Sequence, residues 1–291
     1  MNSSPADLKL LFDAAALRER VISVLSTNCS LEGLSPKSDC KGARASCVLL
    51  LLAEIVLVEG GIPEVCIILN KRSKEVKQPG DLCCPGGAIE KVDRFLARLL
   101  SFRGSFLSRW PCWDKLKTGQ PENAQFLSLL YAAGIRESWE EMRLNPFGLT
   151  FLGQLPSECL SFSGRVIHPL VAWVSYRKEF TLSWEVERIV RFPLRALLNP
   201  FNYGVYRMYV PPHLQWRFGG TGVDFPCFIY HVSGRAELLW GATFRIVTLF
   251  LEMIFGFQIP DLKSLPLVPA SVGDEYVNAG NRNRPCQNYD H

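Results

Sequence analysis

The sequence predicts an α/β domain, and three observations carry that expectation. Apolar runs of strand length fall at 45–58, 65–69, 150–155, 166–176 and 188–192. Stretches with helical spacing lie among them, at 6–26 and 124–144. Hydrophobic residues make up 48% of the 291-residue chain and charged residues 21%, a composition that builds a real core.

Each element follows from its local pattern. Leu8, Leu11, Phe12, Ala15, Leu17, Val21, Ile22 and Leu25 recur at helical intervals, so 6–26 reads as one amphipathic helix, an N-terminal extension spanning 1–44 with the loop at 30–44. The apolar runs at 45–58 and 65–69 flank Glu59-Gly60-Gly61-Ile62-Pro63 and read as a hairpin. Gln78-Pro79-Gly80 and Pro85-Gly86-Gly87 mark a bending loop. Residues 94–116 mix Arg94, Arg98, Arg103 and Arg109 with Phe95, Phe102, Phe106, Trp110 and Trp113. The helix at 124–144 ends at Asn145-Pro146, where proline cannot continue it. Residues 236–255 read as a buried helix or a strand followed by one. The tail after Val268 is polar and Asn-rich.

Composition excludes several classes. Lys plus Arg number 32 against 28 Asp plus Glu, a formal charge of +4 without basic clusters, so nucleic acid is not an expected partner. The longest apolar run, 47–58, contains Glu54 and is far shorter than the roughly 20 residues that span a bilayer. The N-terminus lacks a charged-then-apolar leader pattern, and Tyr289-Asp290-His291 matches no targeting tripeptide. The ten cysteines form no Cys-x-x-Cys pair and read as thiols. The expectation is a soluble protein of the cytoplasm or another reducing intracellular compartment.

Two segments carry chemistry. In Arg136-Glu137-Ser138-Trp139-Glu140-Glu141-Met142-Arg143-Leu144, a helix sets Glu137, Glu140 and Glu141 on one face, with Ile135, Trp139, Met142 and Leu144 toward a core. Each like-charge pair costs an isolated helix about 0.2–0.5 kcal/mol. Solvation, a basic partner or a hard cation such as Mg²⁺ relieves that repulsion. By itself the pattern is equally that of a charged solvent face. In Gly86-Gly87-Ala88-Ile89-Glu90-Lys91-Val92-Asp93, glycines allow close backbone approach beside carboxylates, which suits a phosphate–metal site; Pro-Gly-Gly is also a common turn.

Together the two segments resemble the Nudix box: glycine, five residues, Glu, seven residues, then Arg-Glu-U-x-Glu-Glu-x-Gly-U, with U aliphatic. Gly87 plus five residues reaches Asp93, an Asp in place of Glu; Arg136-Glu137 and Glu140-Glu141 match the acidic part. Ser138 replaces an aliphatic residue, and Arg143 replaces the glycine. The largest departure is spacing. Asp93 and Arg136 stand 43 positions apart, so about 35 residues, roughly 94–128, are inserted within the box, at an entropic cost that grows only logarithmically with loop length. Leu69-Asn70-Lys71-Arg72-Ser73 and Gly80–Gly87 further resemble the signature of the coenzyme A pyrophosphatase branch, with Asn70 in place of Thr and Cys84 in place of an aromatic. Ser161 to Val171, Glu185 to Leu194 and Trp240-Gly241-Ala242-Thr243 resemble later segments of that branch, in order.

The resemblance implies an α/β/α sandwich around a mixed sheet, with an N-terminal helical extension (1–44), a Nudix domain (45–268) carrying a helical insertion, and a polar tail (269–291). It implies Mg²⁺ or Mn²⁺ held by Glu137, Glu140, Glu141 and the Gly86 carbonyl. Arg136 would orient the glutamates, and Glu185 would serve as a late acidic residue, with Glu187 as competitor. Arg72, Ser73, Lys77, Gly87, Glu90 and Asp93 would meet or support the substrate. The implied substrate is coenzyme A, an acyl derivative, or another nucleoside diphosphate derivative. A catalytically inactive binding module is the alternative from another class. His168 reads as a packed strand residue, and His213 and His231 show no partner signal. The insertion reads as a lid, a homodimer contact or a membrane-surface helix.

Overall fold

The structure, a computed structural model, describes residues 10–27, 44–101, 106–160, 165–175, 180–209, 212, 221–232 and 234–271. The chain begins with α1 (Ala14–Ser26) and continues through β1 (Arg44–Ile55), β2 (Glu64–Arg72), β3 (Leu82–Cys83) and β4 (Gly86–Ala88). Three helices follow: α2 (Asp93–Leu100), α3 (Trp113–Gly119) and α4 (Pro121–Met142). Then come β5 (Leu149–Gln154), β6 (Glu158–Leu160), β7 (Arg165–Val174), β8 (Val186–Pro193), the short α5 (Leu194–Leu197) and β9 (Tyr203–Tyr209). The last elements are β10 (Gly222–Val232), β11 (Arg235–Trp240), α6 (Gly241–Phe255) and β12 (Leu267–Ser271).

β1 is the axis of a mixed eight-stranded sheet. It forms the expected antiparallel hairpin with β2, opposing Leu51 to Ile68 and Ala53 to Cys66. On its other side it runs parallel to β7. Strand alternation sends its side chains to two cores. Leu49, Leu51 and Ala53 join Leu170, Ala172 and Tyr131 under α2, α3 and α4. Leu50 and Leu52 join Val171, Leu17, Val21 and residues of α6 on the opposite face. Helices on both faces of a mixed sheet make the α/β architecture expected from the sequence.

The insertion is helical and packed. Leu107, Trp110, Trp113 and Leu116 are buried in the core shared with α4. The expected helix at 6–26 is shorter within the described residues: Asp13 is extended and caps α1, its carboxylate accepting from the amides of Ala15 (3.1 Å) and Ala16 (2.9 Å). Residues 1–9 lie outside the description, as do the loop at 28–43, Phe102 and Arg103, Ser161 to Gly164, His213 and the tail from 272. β12 continues beyond Val268 to Ser271 and pairs in parallel with β9.

Of the second sheet, in the order β11-β10-β9-β12, the sequence marked only β11, as the strand before the helix in 236–255. Its strands carry Gly204, Pro226 and mixed aromatic and charged residues without clean alternation. It is tied to the first sheet by charge. Buried Glu237 on β11 accepts from Lys71 on β2 (3.0 Å) and Arg188 on β8. Trp240 also donates to the Asp81 carboxylate (3.1 Å).

Three expectations need correction. First, α4 ends at Met142, before Asn145-Pro146, because Arg143 adopts the left-handed conformation (φ 52°, ψ 36°). The Arg143 amide then donates to the Trp139 carbonyl (3.0 Å), and the Arg143 guanidinium lies 5.4 Å from the Trp139 ring centroid. Second, Trp139 is 48% exposed rather than core, since it falls outside the stripe of α4 that meets the sheet. Third, Cys112 and Cys159 each take part in a disulfide, while Cys47, Cys66, Cys83, Cys84 and Cys227 are free. Sequence spacing does not reveal cysteines brought together by folding. Disulfides belong to oxidising surroundings, so the cysteine pattern no longer argues for a reducing one. Among the described residues, no helix is long and apolar enough to cross a membrane.

His168 is buried on β7 and meets Phe126 edge-on, with centroids 5.3 Å apart. Burial holds its pKa down at about 4. A base with a depressed folded pKa stabilises the fold above its unfolded value near 6.5 and loses that contribution as pH falls toward 4. Chemical denaturation should therefore show up to about 3 kcal/mol of acid-dependent destabilisation from this residue between pH 7 and pH 4. His168→Phe, which keeps the ring contact, should remove that component of the pH profile.

Candidate active site

The site forms where the C-terminal half of α4 meets the bend leading into β4. Gly134 lets α4 sit close to β1: a Cβ there would lie 2.7 Å from Leu49 Cδ2 and 3.1 Å from Cys47 Sγ. One turn on, buried Ser138 donates its hydroxyl to the Gly134 carbonyl (2.7 Å), so a polar residue is accommodated at the expected aliphatic position. The Pro85-Gly86-Gly87 bend is equally tight. Gly86 has φ 150°, and a Cβ there would lie 2.6 Å from Val48 Cα. A Cβ on Gly87 would collide with the Glu137 carboxylate. Both glycines are there because strand and helix leave no room for a side chain.

Arg136 is the hub. Its Nε and Nη2 donate to the two oxygens of Asp93 at 2.8 and 3.2 Å. Nη1 donates to Glu137 (3.1 Å) and Glu140 (3.0 Å), and Nη2 also reaches the Ala88 carbonyl (3.0 Å). Asp93 is wholly buried and accepts a further bond from the Glu90 amide (2.7 Å). The two separated halves of the motif therefore meet in space, joined by a bidentate pair.

The three glutamates diverge. A helix turns about 100° per residue, so Glu140 and Glu141 project apart although each neighbours Glu137. Glu140 is 52% exposed and held by Arg136. Glu137 is mostly buried against Gly87. Glu141 accepts from Asn70 Nδ2 (2.5 Å) and from the Gly86 amide. Burial, with repulsion from Glu137 and Glu185, pushes the Glu141 carboxyl up to about 8, against the pull of those two hydrogen bonds. Burial also raises Glu137, opposed by Arg136.

Glu185 faces this cluster from the loop before β8. The Ser183 amide donates to the Glu141 carbonyl (2.8 Å), the Ser73 amide donates to the Glu185 carbonyl (2.9 Å), and the Glu185 amide donates to Ser183 Oγ (3.3 Å). Glu185, Glu141, Asn70, Arg72 and Cys83 line one small pocket. Glu187 points elsewhere, paired with Arg188 (2.8 Å).

The expected substrate residues divide. Arg72 lines the pocket, with its Nε donating to the Lys77 carbonyl (2.7 Å); Gly87 and Asp93 belong to the site core. Ser73 takes part through its amide. The Lys77 and Glu90 side chains are exposed. Asn70 and Ser183 were not singled out as site residues in the sequence. Asn70 could have been, because an Asn inside an apolar strand needs a polar partner.

Among the described residues, no group of three His, Cys, Asp or Glu stands ready to hold a metal ion. The donor chemistry nevertheless suits one. The carboxylates are oxygen ligands, two of them raised by burial and by their carboxylate neighbours, and Arg136 is the cation bonded to Glu137 and Glu140.

No protein-family model matches the chain, and no curated protein does. Solved structures resemble it at low identity. A Nudix hydrolase from M. smegmatis, RenU, is 14% identical over 53% of this chain and 73% of its own, with TM-score 0.33. An Ap4A hydrolase of C. elegans is 15% identical over 53% and 83%, with TM-score 0.32. The Nudix domain of Shewanella oneidensis NrtR, crystallised with ADP ribose, is 14% identical over 57% and 82%, with TM-score 0.33.

Two outcomes follow from the geometry. Gly87→Ala should fold with a stability change of about 1 kcal/mol or less, since the atom it meets ends a flexible side chain, while Glu137 is displaced; paired denaturation curves and crystal structures check this. For metal-free protein, a raised carboxyl such as Glu141 supports folding fully below about pH 4.5, and that support is lost as pH rises through about 8. Thermal melts between pH 5 and 9 should show that loss in the parent and lack it in Glu141→Gln.

Proposed function

We propose that the chain is a Nudix hydrolase, a divalent-cation-dependent enzyme that cleaves the diphosphate of a nucleoside diphosphate derivative. The single observation that carries this reading is the Asp93–Arg136 pair, which closes the interrupted box and brings Gly87 against Glu137. Glu137, Glu140 and Glu141, with the Gly86 carbonyl, would hold Mg²⁺ or Mn²⁺. When bound, the cation supplies charge neutralisation on the diphosphate oxygens and lowers the pKa of water.

The chain's own residues have separate tasks. Arg136 keeps the α4 carboxylates near the bend. Arg72, at the pocket wall, suits bidentate binding of a phosphate group, supported by Ser73 and Lys77 nearby. Glu90 and Asp93 hold the loop through amide and carboxylate. Glu185, which lines the same pocket as Glu141, would accept a proton from water as its oxygen bonds to phosphorus and the bridging P–O bond breaks. The finer reading is coenzyme A or acyl-CoA, giving 3′,5′-ADP and 4′-phosphopantetheine. It rests on the Leu69–Ser73, Gly80–Gly87, Glu185–Leu194 and Trp240–Thr243 segments.

The diverging carboxylates favour a second reading, a binding module without turnover. Incubation with Mg²⁺ or Mn²⁺ and a panel of coenzyme A, ADP-ribose, dinucleoside polyphosphates and NADH separates them. Hydrolysis is expected, fastest with coenzyme A, and Glu141→Gln should lower it by about a hundredfold or more. Binding without turnover under either metal rejects the enzyme reading. Turnover favouring another member of the panel rejects only the coenzyme A assignment.

A further inference from the structure

We infer that Asn70 is a positioning residue of this site, fixing Glu141 with its side-chain N–H and seating a water with its side-chain oxygen. The inference rests on the hydrolase reading above and assigns a task to a residue that the motif does not include.

Asn70 lies inside β2 and is 1% exposed. Its backbone cannot drift, because β2 is paired on both sides here: Asn70 opposes Cys83 of β3 and Ile189 of β8. Its Nδ2 lies 2.5 Å from Glu141 Oε2. The NH₂ end of the Asn70 amide faces Glu141, which leaves the oxygen facing the other way. That oxygen is buried and has no hydrogen-bond partner among the described residues. Buried polar groups in folded proteins are almost always satisfied, by protein or by ordered water. Asn70 shares its pocket with Glu185, Arg72 and Cys83.

A water shared by Asn70 Oδ1 and the Glu185 carboxylate, beside the Arg72 cation, would satisfy the unpartnered oxygen. A water molecule has two O–H donors. Donating one to each acceptor leaves its lone pairs free and its oxygen held in one orientation. Asn70 thus acts on both participants, the carboxylate of α4 and the water. A residue that only filled space here would need no polar atom.

The test uses two variants of equal shape, Asn70→Thr and Asn70→Val, in the full chain. Threonine keeps one O–H to donate toward Glu141 and lone pairs to accept from water; valine keeps neither. Calorimetric titration with Mn²⁺ gives a readout independent of turnover. The valine variant should bind Mn²⁺ about 10–100-fold more weakly than the threonine variant, the usual effect of removing a partner that orients a metal ligand. At saturating Mn²⁺ its kcat should stay at least about tenfold below that of the threonine variant, with KM within about threefold, because the unoriented water is not restored by metal. Equal Mn²⁺ affinity and equal kcat in the two variants overturn the inference. If the parent binds Mn²⁺ but hydrolyses no diphosphate, the hydrolase reading and the seated water fall together. The Mn²⁺ difference between the two variants then still decides the Glu141 contact. A parent that binds no Mn²⁺ overturns both.

Discussion

A buried carboxylate held by a guanidinium organises this molecule. Asp93 has no exposed surface, and a charge in that position is tolerated only when it is paired and hydrogen-bonded. Arg136 supplies two bonds and the Glu90 amide a third. The contact also anchors the insertion, since α2 starts at Asp93 and the excursion returns through α3 into α4. The inserted stretch is therefore a folded layer with Trp110, Trp113 and Leu116 in its core, and its two ends are pinned at the site.

From that pair the rest of the site follows by close packing. Gly134 seats α4 on β1, Gly86 and Gly87 let the bend pass beneath it, and Glu137 occupies the space where a Gly87 side chain would be. The consequence is electrostatic crowding. Burial raises the proton affinity of Glu137 and Glu141, and repulsion between them and from Glu185 adds to it. Asn70 and the Gly86 amide offset part of that cost at Glu141, and Arg136 does the same at Glu137. Structural needs alone would be met by apolar residues here. Such carboxylate density is the ground for the proposed functional site.

Much of this was legible in the residues. The β1–β2 hairpin, the parallel β7 partner region and the span of α4 followed from apolar runs and helical periodicity. The acid face and the Gly-Gly bend were read together from the sequence, and the structure brings them into contact although Asp93 and Arg136 are 43 positions apart. Other features depended on tertiary context. Arg143 stands at the motif's glycine position and does take the left-handed conformation expected of a glycine there; the turn is paid for by carbonyl capping and the Trp139 ring. Trp139 looked like core by type, yet the insertion and sheet occupy another side of the helix. The second sheet lacks alternation and is secured by Glu237 bridging Lys71 and Arg188, three residues distant in sequence. The three glutamates read as one face, and the structure shows their different surroundings, because helical rotation separates Glu140 from Glu141. Asn70 was noticed only as a departure from a pattern, since its partner lies 71 positions away.

The most direct test of the central claim is a double-mutant cycle on Asp93→Asn and Arg136→Lys, read by urea denaturation. Each single change disturbs a buried ion pair and should destabilise by about 3–5 kcal/mol. The second change should then add little, leaving a coupling of about 2 kcal/mol or more. Effects that simply sum to within about 0.5 kcal/mol would mean that the two residues act independently. The halves of the motif would then not be joined by this contact.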